Sequence, residues 1–299
     1  MQLGLVGLGR MGANMRDRLR GAGIEVFGYS RTSPTRDVTS LSELVDQLTA
    51  PRTVWIMVPA GDTTRETVTQ LAGLLAEGDL IVDGGNSHYT DDQAHAQLLA
   101  TYGIGYLDCG VSGGVWGRRN GYGLMVGGPA EHVERLMPVF DALRPEGPRE
   151  EGFVHAGGVG AGHFAKMVHN GVEYGLMQAY AEGFELIESA DVVSNVPAVL
   201  KAWQRGTVVR SWLLELVIAA LDADPKLARL RGWVQDSGEG RWTVQEAINH
   251  AVPAPVISAA LFARFASRQP DSPAMRAVAA LRHQFGGHDV QAAGPDQSS

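Results

Sequence analysis

The stretch LGLVGLGRMGANM, Leu3–Met15, decides the fold. It opens on a short apolar run that suits a buried strand. Gly7-Leu8-Gly9-Arg10-Met11-Gly12 then spells G-x-G-x-x-G, and the positions beyond it read as a helix. Between a first strand and a first helix this fingerprint predicts a dinucleotide-binding turn. Gly7 permits the tight turn, Gly9 lets a pyrophosphate approach the backbone, and Gly12 lets helix and sheet pack closely. The free N–H groups and positive dipole end of the helix then face the phosphates.

Outward from this turn, strand and helix alternate as far as residue 110. Apolar runs fall at Leu3–Val6, Ile24–Tyr29, Val54–Val58, Leu80–Val82 and Ile104–Leu107, with helical patterns over 11–22, 41–49, 63–76 and 91–102. Such alternation predicts a parallel sheet with crossover helices. YGLMVGG (122–128) and FVHAG (153–157) continue the sheet. The Gly-rich GGVGAG (157–162) leads into a helix over 163–190, and further helices are predicted over 197–221, 243–250 and 255–268. The expected architecture is α/β: a Rossmann-like doubly wound sheet followed by an all-helical domain. The boundaries are a dinucleotide-binding domain over 1–160, a helical domain over 161–288 and a flexible tail over 289–299.

A chain of 299 residues with 44% hydrophobic content can bury two cores. Its net charge of -8 leaves no basic footprint for nucleic acid. An anionic ligand must therefore be held by local Arg, Lys and helix N-termini. The single cysteine, Cys109, excludes an internal disulfide and fits a reducing, cytoplasmic setting. No apolar stretch approaches the ~18 residues of a membrane span. The chain opens at once on a strand, so no signal peptide is expected.

The chemistry concentrates in HFAKMVHNGVEYGLMQAYAEG, His163–Gly183. Lys166, His169, Asn170, Glu173 and Tyr174 recur at helical spacing and share one face. A solvated face usually carries Glu, Lys, Arg and Gln in i,i+4 pairs. This one carries an amine, an imidazole, an amide, a carboxylate and a phenol. The opposite positions, Met167, Val168, Val172, Leu176 and Met177, are mostly apolar, so they are expected against protein and the polar face against a cavity. Gly171 inside the helix costs ~1 kcal/mol against Ala.

The second strand ends in Ser30, Arg31 and Thr32, where NAD enzymes usually carry an acid for the ribose 2′-hydroxyl. An Arg with two hydroxyls suits a 2′-phosphate, so NADP is expected ahead of NAD. Val58, Pro59 and Ala60, after the third strand, join the cofactor-binding set. The loops VDGGNSHYTDD (82–92) and VSGGVWGRRNGYG (111–123) follow the fourth and fifth strands. Ligands of doubly wound sheets bind outside the carboxyl ends of the strands. Asn86, Ser112, Gly113 and Gly114 are thus expected where cofactor and substrate meet. Ser-Gly-Gly offers a hydroxyl and consecutive N–H groups that can cradle a carboxylate.

GLGRMGANM, DGGNS, SGGVWG, HFAKMVHNGVEYG, DSGEGRW, LFAR and RHQFGGH occur in that order. In this the chain resembles the decarboxylating 6-phosphogluconate dehydrogenases in their short bacterial form, within the β-hydroxyacid dehydrogenases. The resemblance implies oxidation and decarboxylation of 6-phosphogluconate. Lys166 would be the general base on the 3-hydroxyl, and Glu173 the acid that protonates C1 of the resulting enediol. Such a base and acid work best near neutral pH, and burial shifts an amine down and a carboxyl up. Asn86, Ser112, Gly113, Gly114, His169 and Asn170 would hold the carboxylate and hydroxyls, and Tyr174 and Arg264 the phosphate. Arg282 and His288 would reach into a neighbouring subunit's site, which implies a homodimer or higher homo-oligomer. No metal is expected, because the ketone itself is the electron sink and the sequence has no clustered ligands. One departure stands out: where the long form has a phosphate-binding Lys, this chain has Ser237, leaving Arg241 and Arg205 as candidates to compensate. The alternatives are another β-hydroxyacid dehydrogenase and a non-catalytic NADP-binding protein. Three cations in a nonphosphate pocket oppose the first, and the retention of Lys166 with Glu173 opposes the second.

Overall fold

A computed structural model describes residues 1–291; residues 292–299, most of the expected tail, lie outside the described residues. The chain divides into two compact units, Met1–Asn170 and a second beginning at Gly171.

The first unit alternates as the apolar runs require: β1 (Gln2–Val6), α1 (Arg10–Gly21), β2 (Glu25–Tyr29), α2 (Leu41–Asp46), β3 (Thr53–Ile56), α3 (Asp62–Ala72), β4 (Leu80–Asp83), α4 (Tyr89–Ala100) and β5 (Gly105–Ser112). Then come the short α5 (Gly117–Asn120), β6 (Gly123–Gly127), α6 (Ala130–Leu143) and β7 (Phe153–Gly157). The strands form one sheet in the order β2-β1-β3-β4-β5-β6-β7. A parallel bridge from Tyr29 to Val38 adds the trace of one more strand outside β2.

Side-chain alternation builds two cores, one on each face of the sheet. Leu3, Leu5, Trp55, Leu80, Val82, Leu107 and Cys109 point to the face covered by α1 and α6. Val6, Val54, Ile56, Ile81 and Tyr106 point to the face covered by α2, α3 and α4. Each fully buried aliphatic side chain contributes about 1.5–3 kcal/mol.

Two details depart from the expected sheet. β6 runs antiparallel to β5. The link over residues 113–122 is too short for a parallel crossover, which needs a dozen residues or more, so the chain turns back and the Ser-Gly-Gly loop lies at the end of β5. The α6 helix was not expected, and Pro138 falls inside it. Pro usually breaks a helix, but Val133, Leu136, Val139, Phe140 and Leu143 bury a continuous face that offsets the lost hydrogen bond.

α7 (Ala161–Glu188) contributes its first turns to the first unit and the rest to the second. The second unit continues with α8 (Val196–Ala202), α9 (Trp212–Ala223), α10 (Glu239–Asn249), α11 (Pro255–Ala266) and α12 (Pro273–Gly286). The helix expected over 197–221 is in fact two. Gly206 sits at φ +76°, and Ser211 caps the restart by accepting from the Leu214 N–H. Val196, Leu200, Leu214, Ile218 and Leu221 form the core between α8 and α9. α12 was not expected. It ends at Gly287, whose φ of +64° closes the helix in the left-handed conformation.

Candidate active site

The chain leaves β1 for β2 on one side and returns to β3 on the other. That reversal opens a crevice at the carboxyl ends of the strands, where ligands of this fold bind. A cavity of about 660 Å³ lies there. Gly7, Leu8, Gly9, Arg10, Met11, Gly12, Ser30, Arg31, Thr32, Val58, Pro59, Asn86 and Lys166 all line it. Ala60, Ser112, Gly113, Gly114, His169 and Asn170 are not among its lining residues. The sequence reading missed the wall made by Thr63, Glu66, Thr67 and Gln70 of α3; their position just after the third strand was the available signal.

The three fingerprint glycines separate by cause. Gly7 has φ +101°, and a Cβ there would strike the Met57 carbonyl. A Cβ on Gly12 would overlap the Gly7 carbonyl oxygen. Gly9 has ordinary extended dihedrals, and a Cβ on it would meet nothing within 4 Å. Packing therefore explains Gly7 and Gly12, whereas Gly9, the N-cap of α1, faces open space that a ligand can enter. Gly9 also starts α1 without a side-chain cap, which leaves the first-turn N–H groups for a phosphate. These residues fit a dinucleotide.

A pair of substitutions tests this division. Gly9→Val should leave the melting temperature unchanged and weaken dinucleotide binding at least about tenfold, or 1.4 kcal/mol. Gly12→Ala should instead destabilise the fold by about 1–3 kcal/mol through overpacking. Calorimetric melts and cofactor titrations separate the two. A Gly9→Val protein that binds normally would remove the pyrophosphate from this turn.

At the far wall of the cavity Lys166 Nζ donates to Asn86 Oδ1. Both residues are half-buried. Buried carboxylates hold the two sides. Asp83, at the end of β4, accepts from the Gly85 N–H at 2.9 Å and the Ser87 hydroxyl at 2.7 Å, which folds the loop that carries Asn86. Asp108, inside β5, accepts from the Gly160 and His163 N–H groups at 2.7 and 2.9 Å, so an acid from the sheet caps the start of α7. Gly110 lies under Lys166, where a Cβ would collide with the lysine's own Cβ. The sequence reading missed these acids, and its statement that ligand-type residues are unclustered is corrected. The fold gathers Asp83, Asp92 and His95, and Asp92, Asp108 and His163, from distant positions.

In the Ser-Gly-Gly loop, Gly113 has φ +126° and Gly114 φ +53°, and a Cβ on Gly114 would meet open space. His169 Nδ1 lies 3.0 Å from Asn170 Oδ1. The apolar side of α7 packs only in part: Met167 is buried and Met177 packs against a core, but Val168, Val172 and Leu176 are 37%, 49% and 46% exposed. On the polar side, Tyr174 is buried, at 5% exposed.

Within the second unit, three residues assigned to the phosphate end converge. The Arg264 guanidinium lies 3.4 Å from the Tyr174 ring centre, and the Ser237 N–H donates to the Tyr174 hydroxyl at 3.4 Å. Arg264 also donates to the Gln235 carbonyl at 3.0 Å. Arg241 is committed elsewhere: it and Arg268 grip Asp236 at 2.5 and 2.7 Å. The hydrogen bond from Arg241 holds the Asp236 carboxyl down at about 2. Glu173 is half-buried, while Arg205, Arg282 and His288 are exposed. Among the described residues no helix is long and apolar enough to cross a membrane.

A doubly wound sheet with a glycine-fingerprint cavity and a lysine at its wall defines an NAD(P)-binding oxidoreductase of the hydroxyacid dehydrogenase kind. The profile described as the NAD binding domain of 6-phosphogluconate dehydrogenase matches residues 2–145. That of the 6-phosphogluconate dehydrogenase C-terminal domain matches residues 162–294. The chain belongs to the 6-phosphogluconate dehydrogenase family. It is 43% identical to the NAD(+)-dependent, decarboxylating 6-phosphogluconate dehydrogenase of Haloferax volcanii, over 97% of this chain and 98% of that one. It is 34% identical to the decarboxylating enzyme of Lactococcus lactis, over 90% of this chain but only 61% of that longer one. The Plasmodium falciparum 6-phosphogluconate dehydrogenase, solved apo, with NADP+ and with 6-phosphogluconate, superposes with a TM-score of 0.80 at 25% identity, covering 100% of this chain and 67% of that one. The Mycobacterium tuberculosis 3-hydroxyisobutyrate dehydrogenase superposes at 0.71, also with 25% identity, over 94% of this chain and 99% of that one.

Proposed function

We propose that this protein oxidises and decarboxylates 6-phospho-D-gluconate to D-ribulose 5-phosphate and CO2, reducing NADP, as in the pentose phosphate pathway. The observation that carries the reading is the Lys166 amine held by Asn86 at the wall of the dinucleotide cavity. When bound, the nicotinamide accepts the hydride from C3. Lys166 takes the proton of the C3 hydroxyl as that hydride leaves. The product is a β-keto acid, whose C1 carboxylate departs as CO2 while its bonding electrons pass to the ketone oxygen. Lys166, now protonated, sits beside that oxygen and stabilises the enediolate. Glu173 then donates a proton to the former C2, which becomes C1 of ribulose 5-phosphate. Asn86, Ser112, Gly113, Gly114, His169 and Asn170 orient the sugar acid, and Tyr174 and Arg264 hold the phosphate. A rise in the reduced-nicotinamide band that requires both dinucleotide and 6-phosphogluconate supports the reading; no rise with either dinucleotide sinks it.

A second reading, a hydroxyacid dehydrogenase of another substrate, rests on Ser237 in place of a phosphate lysine. Arg241, its candidate substitute, is tied to Asp236. Turnover of a nonphosphorylated 3-hydroxy acid above that of 6-phosphogluconate would favour it.

NADP is preferred on this account, because Ser30, Arg31 and Thr32 line the cavity at the end of β2. The Haloferax volcanii enzyme, named as NAD(+)-dependent, is the counterweight. Arg31→Asp should swing kcat/KM toward NAD, since it removes the 2′-phosphate's cation and supplies a ribose acceptor. A wild-type preference for NAD would contradict the assignment of Arg31.

The working unit is a homodimer or larger assembly with shared sites in a reducing, cytoplasmic setting. Every α12 side chain the structure describes is exposed, including Met275, Val278 and Leu281 on one face at 61%, 45% and 64%. A lone helix of 14 residues is marginal in water, and an apolar stripe of this kind fits a second copy of the chain.

A further inference from the structure

Two chain segments meet at Lys166, and they meet twice. At the cavity wall, Lys166 of α7 donates to Asn86 in the loop before α4. Behind that contact, one turn earlier on α7, His163 Nδ1 lies 2.8 and 3.0 Å from the two oxygens of Asp92 on α4. His163 is 1% exposed and Asp92 0%. The Tyr106 hydroxyl of β5 donates to the same Asp92 at 2.8 Å. The His163 ring has no partner at Nε2 among the described residues, so Asp92 is the partner that sets its orientation.

We propose that the buried His163–Asp92 ion pair is a positioning device: it locks the first turn of α7 to α4 and thereby aims the Lys166 amine at Asn86 and the reacting hydroxyl. The proposal rests on the reading of Lys166 as the base. Buried ion pairs are weak sources of stability, and an apolar replacement is often as stable, but they can impose a single arrangement. A cation site is the competing use of this cluster. All six oxygens of Asp83, Asp92 and Asp108 accept hydrogen bonds from protein donors, so the cluster's charge is already met from within the protein.

Charge keeps the pair intact at working pH. Burial pulls the His163 imidazolium down, but Asp92, backed by Asp83 and Asp108, more than offsets this and raises it to about 9. Burial pushes the Asp92 carboxyl up to about 6 against the pull of His163. Each partner thus favours the charged form of the other. The groups clustered around the pair are His95 of α4, Asp83 of β4, and Tyr106 and Asp108 of β5.

The test compares Asp92→Ala, Asp92→Asn and Lys166→Ala in the full-length enzyme, with active sites counted by dinucleotide binding. Asp92→Ala should lower kcat at neutral pH by about 10²-fold, the cost of misplacing a catalytic group by an ångström, with KM and dinucleotide affinity little changed. Asp92→Asn keeps an oxygen for the His163 N–H and the Tyr106 hydroxyl but removes the counter-charge, so it should restore kcat only on the acid side, where the imidazole is still protonated. Its alkaline limb should fall at lower pH than the wild type's, because the imidazolium has lost its counter-charge. A merely structural role predicts lower melting temperatures with unchanged kcat per folded site. That result, or an Asp92→Asn pH profile that matches the wild type, overturns the proposal; the profile alone decides if Asp92→Ala does not fold. Lys166→Ala separates the two levels. If it is inactive while the Asp92 variants are normal, only the positioning role fails; if it is active, the assignment of the base itself fails.

Discussion

Replacing Lys166 by alanine should abolish dinucleotide reduction, because among the described residues it is the one amine lining the cavity and able to accept the hydroxyl proton. A general base contributes typically about 10²–10⁴-fold, and Lys166 acts again when the enediolate forms, so the upper end is expected. Glu173→Ala should be crippled differently. Oxidation and CO2 loss precede its step, so a first turnover should still reduce the dinucleotide, and the block should fall on protonation of the enediol. Single-turnover traces of both variants make the distinction. Near-normal steady turnover in either would end the role assigned to that residue.

The second large effect concerns assembly. Removing everything from Arg282 onward should raise KM for 6-phosphogluconate sharply and leave the dinucleotide site intact, whereas removing 290–299 should be nearly silent. Arg282→Ala should reproduce part of the loss, since a phosphate forfeits a charge-assisted hydrogen bond of about 1.5–3 kcal/mol. Truncation also trims the last turn of α12, so mixing subunits is cleaner. If Arg282 serves the partner's site, each mixed dimer of Arg282→Ala and Lys166→Ala subunits holds one doubly damaged site and one intact site, and activity returns. No recovery, once subunit exchange is demonstrated, would place Arg282 in its own subunit's site or in none.

What the sequence made legible was local. The strand–glycine–helix turn and the apolar runs fixed the strands closely, because a parallel sheet buried on both faces needs continuous apolar segments. The polar spacing on α7 identified Lys166, which the fold does bring to the cavity with Asn86. Gly171, odd in mid-helix, has a reason that only packing reveals: a Cβ there would meet the Thr243 side chain of α10 at 2.6 Å. The acids behind the site stayed hidden for a different reason. Asp83, Asp92, Asp108 and His163 are scattered along the chain and converge only when β4, β5, α4 and α7 pack. The expectation that the apolar side of α7 faces protein ignored how much of that helix lies exposed in a single chain.

The most direct measurement is the balance of products. Purified protein with dinucleotide and 6-phosphogluconate should release one CO2 for each dinucleotide reduced and leave ribulose 5-phosphate. Reduction without CO2 would mark a simple hydroxyacid dehydrogenase and contradict the account.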